Sequence, residues 1–428
     1  MAIRIALLGF GTVATGLPFL LEENRVKLQA LVGDEFVIEK VLVRDEATTK
    51  RLRQQGYSYN FVTSFEDIMT DDAIAIAVEL MGRVEPAKTY ITRALLAGKH
   101  VVTANKDLLA LHGTELSTLA KQQGLGFYYE AAVAGGIPIL RTLANAFAAD
   151  KITALYGILN GTTNFMLTKM VSEGWTYEAA LAEAQTLGYA ESDPTNDVEG
   201  IDAAYKLAIL CQFAFGMSMP FEKIEHQGIT HITPEDVAAA DQLGYVIKLI
   251  GSIRDCSEGL QAQVAPTLVP KSHQLAGVIN AMNAVYVESV GIGQSLFYGP
   301  GAGQKPTATS VLADLVEIGR CLTHQLSITP FSRFERVGQL APAEDCLAYY
   351  YLSVACPKEM NLMEEEQTRD EKMPLIQKML DVPINDQQKR LVIVTNNISQ
   401  ATFEAFKHRL ATKPGVTILN SFNVLGED

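Results

Sequence analysis

The chain has 428 residues, 48% of them hydrophobic, and a formal net charge of −14 at pH 7. That length can bury two or three cores. The acidic balance argues against a nucleic-acid or anionic-membrane surface, and no apolar run approaches the roughly 18 residues of a membrane span. Cys211, Cys256, Cys321, Cys346 and Cys356 are odd in number and form no C-x-x-C pair, as expected of buried thiols in a reducing cytoplasm. The seven histidines show no ligand spacing, which argues against structural zinc. The apolar start runs into a glycine turn instead of a small-residue cleavage site, so no signal peptide is expected.

The strand-like run Ile3-Arg4-Ile5-Ala6-Leu7-Leu8 leads directly into Gly9-Phe10-Gly11-Thr12-Val13-Ala14. A strand, then G-x-G-x-x-A, then a helix is the dinucleotide-binding turn. Gly9 allows the tight turn, Gly11 lets backbone approach a pyrophosphate, and Ala14 permits close helix–strand packing. The helix N-terminus then offers partial positive charge to phosphates. A tight turn with no ligand is the plainer alternative.

Further strands are expected over 36–43, 74–80, 100–103 and 126–130, with helices over 86–97 and 115–123. This β-α-β rhythm predicts a mostly parallel sheet, with ligands beyond the carboxyl ends of its strands. Arg44 ends the second strand, where an arginine suits a 2′-phosphate, although Asp45 beside it also allows a plain surface pair. Lys106 follows the strand end Thr103-Ala104-Asn105. A lysine there stands near where nicotinamide and substrate should meet; taken alone, it is better explained as a surface lysine.

Beyond about residue 150 the pattern changes. A strand over 152–159 precedes Asn160-Gly161-Thr162-Thr163-Asn164, a helix start capped by Thr162 or Thr163. An Ala-rich helix over 176–187 ends at Gly188. An acidic loop over 189–197 reads as a structured turn, and a helix follows over 198–215. Asp202 and Lys206 lie four residues apart on one face of that helix. On a surface the pair is worth ~0.3–0.5 kcal/mol. Apolar residues nearly all round the helix suggest instead a charged pair at the mouth of a buried element. There, lysine can move a proton or bond a carbonyl oxygen.

A helix is next expected over 234–253, strands over 260–268 and 284–291, a glycine-rich turn over 298–303 and a helix over 307–324. Residues 341–343 read as a linker. The last segment reads as strand 347–354, helix 373–380, strand 390–395, helix 400–410 and strand 416–422, a small β-α-β domain of its own.

Together, these motifs resemble homoserine dehydrogenase. The carriers are Gly9–Val13, Thr103–Lys106, Glu130-Ala131-Ala132-Val133-Ala134-Gly135-Gly136-Ile137-Pro138 and Leu159–Phe165. Gly188-Tyr189-Ala190-Glu191, Asp193-Pro194, Gly200-Ile201-Asp202 with Lys206, and Gly299–Gly303 with Pro306–Thr309 complete the set. The likeness spans about residues 1–340. It implies an α/β fold in three parts: a Rossmann-type NAD(P)-binding domain over 1–150, joined by the helix 306–325; an α+β substrate and dimerisation domain over 151–305; and a divergent ACT-like domain over 345–428.

The resemblance implies reversible reduction of L-aspartate 4-semialdehyde to L-homoserine with NADPH or NADH, NADPH being the expected preference. Lys206 corresponds to the family's proton-donating lysine. Asp202 would bind substrate and orient Lys206, and Glu191 with Gly188 would line the same pocket. Lys106 would touch both cofactor and substrate. Phe10, Thr12, Val13, Arg44 and Gly303, with Gly9, Gly11, Gly188 and Glu191, would meet the cofactor. A monovalent cation, expected to be sodium, would lie on Glu130, Val133, Gly135 and Ile137. A small-molecule substrate, a homodimer or homotetramer, and a cytoplasmic location complete the expectation, with neither nucleic acid nor membrane as a partner.

Two stretches depart from the family pattern. Glu79-Leu80-Met81-Gly82 is followed by Arg83 where a second glycine is usual. The C-terminal segment lacks the Asp-x-Pro-Gly-Val sensing loop, carrying Val354-Ala355-Cys356-Pro357-Lys358-Glu359-Met360 and a charged run over 363–372. An aldehyde-oxidising enzyme on the same scaffold would need an acyl-accepting cysteine beside a base, and no cysteine here stands in such a motif. A catalytically dead nucleotide sensor should have lost Asp202 or Lys206, and both are present.

Overall fold

The computed structural model describes residues 2–332, 335–336, 339–361 and 375–426. The charged run 363–372 lies outside them. The chain divides into two compact units. One comprises Met1–Lys151, Ala208–Lys223 and Gly299–Arg336; the other comprises Ile152–Leu207, Ile224–Tyr298 and Val337–Asp428.

The first unit holds a parallel sheet of β1 (Ile3–Leu8), β2 (Phe36–Leu42), β3 (Phe61–Val62), β4 (Ile74–Glu79), β5 (His100–Thr103) and β6 (Phe127–Tyr128). Among the described residues its order is β3-β2-β1-β4-β5-β6, the dinucleotide-binding order with its switch point beside β1. Ile5, Leu7, Ile76, Val78, Val101 and Val102 are all fully buried, because helices cover both faces of such a sheet. The helix Gln304–Thr323 belongs to this unit and packs closely through glycine. A Cβ on Gly16 would lie 2.8 Å from the Gln304 carbonyl oxygen, and one on Gly319 would lie 2.7 Å from Phe36 Cζ. The segment 208–223, which the sequence gives no reason to place here, joins the same unit.

The second unit is built on one large mixed sheet. Its strands are β7 (Ile152–Ile158), β8 (Glu225–His226), β9 (Tyr245–Cys256), β10 (Gly259–Pro270), β11 (Met282–Ser289), β12 (Gly293–Pro300), β13 (Leu347–Pro357), β14 (Ile376–Pro383), β15 (Gln388–Thr395), β16 (Ile398–Ser399) and β17 (Thr417–Val424). The order is β12-β11-β7-β9-β10-β17-β13-β15-β14, with β8 on β10 and β16 on β13. β17 pairs in parallel with β10, so the C-terminal strands extend the substrate-domain sheet instead of forming a unit of their own. Their core is Tyr350, Leu352, Val354, Leu391 and Ile393 against Phe403, Phe406 and Leu410 of the helix Gln400–Ala411.

Several expected elements are corrected. The helix expected over 234–253 stops at Gln242, after which Gly244 (φ +91°) turns the chain into β9. β-Branched Val246, Ile247, Ile250 and Ile253 favour the strand. The helix expected over 373–380 is strand β14 from Ile376 onward; residues 373–374 lie outside the described set. Its alternating exposure is the period-2 pattern of an edge strand. The helix expected over 115–123 begins nine residues earlier, at Lys106, because Asn105 caps it by accepting from the Leu108 amide. The strand β12 lay unrecognised before the glycine-rich turn. The acidic loop over 189–197 closes with a short helix, Thr195–Val198, and Gly200 (φ +79°) separates this from the helix Ile201–Phe215.

Candidate active site

In the first unit, the turn after β1 is shaped by two glycines in different ways. Gly9 has φ +95°, and a Cβ there would come 2.9 Å from Met81 Cγ. Gly11 has nothing within 4 Å of a Cβ position. Packing therefore does not demand glycine at 11; open space above its backbone is what close approach of a pyrophosphate requires. Thr12 and Val13 continue the turn, and the regular helix starts at Gly16. Phe10 is held by an aromatic cluster, edge-on to Tyr57 with centroids 5.0 Å apart. Gly303 (φ +128°) leads into Gln304, whose Nε2 donates to Thr15 Oγ1 at 2.7 Å, so this glycine-rich segment joins the same turn.

Arg44 is 88% exposed at its side chain and pairs with Asp45 at 3.1 Å. Asp45 caps the helix Glu46–Gln54. Hydrogen bonds from the Thr48 hydroxyl and amide hold its carboxyl down at about 2. This explains the acidic neighbour, and leaves the guanidinium facing solvent at the end of β2.

Glu79 carries no signal in the sequence that marks it as a site residue. It is fully buried at the end of β4. It accepts from Thr103 Oγ1 (2.6 Å), the Met81 amide (2.7 Å) and the Gly82 amide (3.2 Å). Thr103 Oγ1 in turn accepts from the Asn105 amide, and Asn105 Nδ2 donates to the Arg83 carbonyl at 2.6 Å. One carboxylate thus joins the two loops leaving β4 and β5, and Lys106 emerges from the second. Burial pushes the Glu79 pKa up, against these hydrogen bonds. Lys106 itself is 33% exposed at its side chain and 3.4 Å from Asp107.

The segment from Glu130 to Ile137 carries positive φ at Ala134 (+53°) and Gly135 (+45°). A Cβ on Gly135 would fall 2.4 Å from the Gly301 carbonyl oxygen, so glycine is required there. Glu130 is 1% exposed, and its carboxylate accepts from the Leu140 and Arg141 amides, both at 2.8 Å. Its own amide donates to the buried Asp314, which also pairs with Arg141. Burial pushes Glu130 to about 7 and Asp314 to about 8. Two buried carboxyl groups thus face one guanidinium. Among the described residues no three His, Cys, Asp or Glu side chains cluster as metal ligands.

In the second unit, Asp202 and Lys206 meet as the helical spacing predicts. Lys206 Nζ donates to Asp202 Oδ2 at 2.7 Å and to the Leu159 carbonyl at 2.6 Å. Both side chains are nearly buried, at 12% and 11% exposure, which rejects the surface-pair reading. Asn160 Nδ2 donates to Asp202 Oδ2 (2.8 Å) and to Asp197 Oδ1 (2.6 Å). Its Oδ1 accepts from the Thr163 amide, so Asn160, and not Thr162 or Thr163, caps the helix Gly161–Glu173. Thr162 Oγ1 instead donates to the Tyr189 carbonyl at 2.7 Å, tying down the loop that carries Gly188 and Glu191. Gly188 (φ +74°) ends the preceding helix, and the Glu191 side chain is exposed.

The chain matches two family models, homoserine dehydrogenase over residues 138–316 and its NAD-binding domain over 9–130. It is 52% identical over 431 residues to the homoserine dehydrogenase of Lactococcus lactis subsp. lactis (strain IL1403), covering 100% of both chains. The crystal structure of a homoserine dehydrogenase from Thiobacillus denitrificans superimposes with a TM-score of 0.91 at 36% identity, over 99% of this chain and 98% of that one. A hyperthermophilic archaeal homoserine dehydrogenase in complex with NADPH gives a TM-score of 0.62 at 28% identity, over 74% of this chain and 98% of its own. The chain therefore belongs to the homoserine dehydrogenase family, nicotinamide-dependent oxidoreductases, and its first unit carries that family's NAD-binding domain.

Proposed function

We propose that the protein reduces L-aspartate 4-semialdehyde reversibly to L-homoserine with NAD(P)H, in the biosynthesis of threonine, methionine and isoleucine. The carrying observation is the Lys206 ammonium, fixed by Asp202 Oδ2 and the Leu159 carbonyl. An ammonium has three N–H donors, so one remains for a substrate oxygen. The nicotinamide, when bound, supplies the hydride. Negative charge then develops on the carbonyl oxygen; Lys206 offsets that charge and donates the proton, and in the reverse direction it accepts one. Asp202 holds Lys206 and takes part in binding substrate. Glu191 receives the substrate ammonium, and Gly188 lets backbone line the same pocket.

Gly9, Phe10, Gly11, Thr12, Val13 and Gly303 hold the cofactor, with Lys106 on the nicotinamide side; Gly188 and Glu191 are further cofactor contacts by the same reading. The exposed Arg44 at the end of β2 supports a preference for NADPH, because a guanidinium matches a 2′-phosphate bidentately. A monovalent cation, sodium by this reading, rests on Glu130, Val133, Gly135 and Ile137 and takes no part in the chemistry. The ACT-like reading of the C-terminal segment is supported by its β-strands and the helix Gln400–Ala411 packed on them. A homodimer or homotetramer is supported by the apolar Val290, Ile292, Leu296 and Tyr298, 72%, 56%, 38% and 54% exposed along the β11–β12 edge. Among the described residues no helix is long and apolar enough to cross a membrane, and the proposed location is the cytoplasm. Chromatographic detection of homoserine, formed from the semialdehyde only when NAD(P)H is present, tests the reaction.

A further inference from the structure

We infer that Asn283 is a positioning residue for Lys206, setting the direction of the ammonium through a shared backbone carbonyl; the inference rests on the reaction proposed above. Asn283 lies on β11 and is 1% exposed. Its Nδ2 donates to the Leu159 carbonyl at 3.0 Å, and the same oxygen accepts from Lys206 Nζ at 2.6 Å. A carbonyl oxygen has two lone pairs. Asn283 occupies one and confines Lys206 to the other. With the second N–H of Lys206 committed to Asp202 Oδ2, the direction of the third is set. That third N–H is the one available to a substrate oxygen. Without Asn283, the Leu159 carbonyl could receive the ammonium over a wide arc, and the donor would lose its aim.

The other end of Asn283 supplies an independent observation. Its Oδ1 is buried and has no hydrogen-bond partner among the described residues. Flipping the amide would set Oδ1 against the Leu159 carbonyl, acceptor to acceptor, so the orientation is fixed. A buried acceptor left without a donor is a cost to folding, and an apolar side chain of the same shape would avoid it. Leucine branches at Cγ just as asparagine does. The value of asparagine here therefore lies in the one N–H it aims at Leu159. Asn160, which shares Asp202 Oδ2 with Lys206, differs: both ends of its amide are satisfied.

Asn283→Leu in the full-length protein separates a positioning role from a structural one. Semialdehyde reduction is measured with NADPH, alongside thermal melting. The expected result is a kcat lower by roughly 10- to 100-fold, with KM for the semialdehyde and for NADPH within about threefold of wild type. The melting temperature should be unchanged or higher, because the orphaned acceptor is gone. The limb of the kcat–pH profile set by the proton donor should also move, by about half a pH unit or more. If Asn283→Leu does not fold, Asn283→Ala, which adds no bulk, is judged by the same kinetic criteria. A kcat within about twofold of wild type overturns the inference, as does a loss of kcat only in step with a falling melting temperature. A wild-type protein inactive on the semialdehyde overturns the proposed reaction itself, a different outcome from an active wild type and an unaffected variant.

Discussion

Lys206 Nζ lies 2.7 Å from Oδ2 of Asp202, one helical turn earlier on the same buried helix, and that carboxylate oxygen also accepts from Asn160. The lysine therefore donates to a carboxylate that keeps a second partner of its own. Lys206→Ala should lower kcat by roughly 10²–10⁴ while leaving the fold intact, since Asn160 still satisfies Asp202. Lys206→Arg should not restore activity, because a guanidinium does not release its proton at neutral pH. Steady-state kinetics with circular dichroism on both variants checks this. More than half of wild-type turnover in the alanine variant would remove Lys206 from the chemistry.

Arg44 bears on cofactor choice. With its side chain 88% exposed and paired with the capping Asp45, it is available to a 2′-phosphate. Arg44→Ala should weaken NADPH by ~1–3 kcal/mol, the loss of a charged hydrogen bond, and barely affect NADH. The comparison is kcat/KM for both cofactors in both proteins. Equal losses for the two would exclude the 2′-phosphate role.

Lys248 gives a pH signature of stability. It is 4% exposed, and its Nζ donates to Asn164 Oδ1 at 3.1 Å and to the Val278 carbonyl at 2.5 Å, both neutral partners. Burial pulls its pKa down to about 8. The folded protein therefore sheds this proton near pH 8, whereas an unfolded lysine keeps it to about 10.4. Between those values the unfolded state binds more protons, so this group's contribution to stability rises with pH. The melting temperature of wild type minus that of Lys248→Met should climb between about pH 7.5 and 9.5, within that window. Parallel curves would place the titration elsewhere.

The C-terminal segment bears on regulation. Tyr350 stacks on Phe403 with centroids 4.1 Å apart, and Tyr351 stacks on Phe422 at 5.2 Å while donating to the buried Asp236. Asp236 also pairs with Arg390 at 3.0 Å. These aromatics are committed to packing against Phe403 and Phe422 and to the helix that carries Asp236. A zwitterionic effector needs close backbone approach and charged partners, and the glycine and aspartate of the family's sensing loop are missing from 354–360. Feedback by L-threonine should be weak or absent. Titration of threonine into the homoserine assay decides it; strong inhibition at millimolar or lower concentration would refute this reading.

Much of the first unit was legible because its signals are local. An apolar run, a glycine turn and a cap are each read within a few residues, and β5 falls on the expected 100–103. The i,i+4 spacing likewise brought Asp202 to Lys206 without any knowledge of the fold. What was hidden depends on distant chain. Leu159 acts through its carbonyl, a group every residue shares, and Asn283 reaches it from 124 positions away. Glu79 reads as the end of an apolar strand until β5 places Thr103 beside it. The 234–253 error has another cause: helix and strand both tolerate its apolar pattern, and the deciding turn rests on Gly244 alone.

The most direct test of the central claim is consumption of NADPH, followed at 340 nm, by the purified full-length protein with L-aspartate 4-semialdehyde, repeated with Lys206→Ala. The account predicts rapid, semialdehyde-dependent oxidation of NADPH by the wild type, reversal when homoserine and NADP⁺ are supplied, and loss of both directions in the variant. A folded wild-type protein that leaves NADPH and NADH untouched with this substrate, or a variant as fast as wild type, would contradict it.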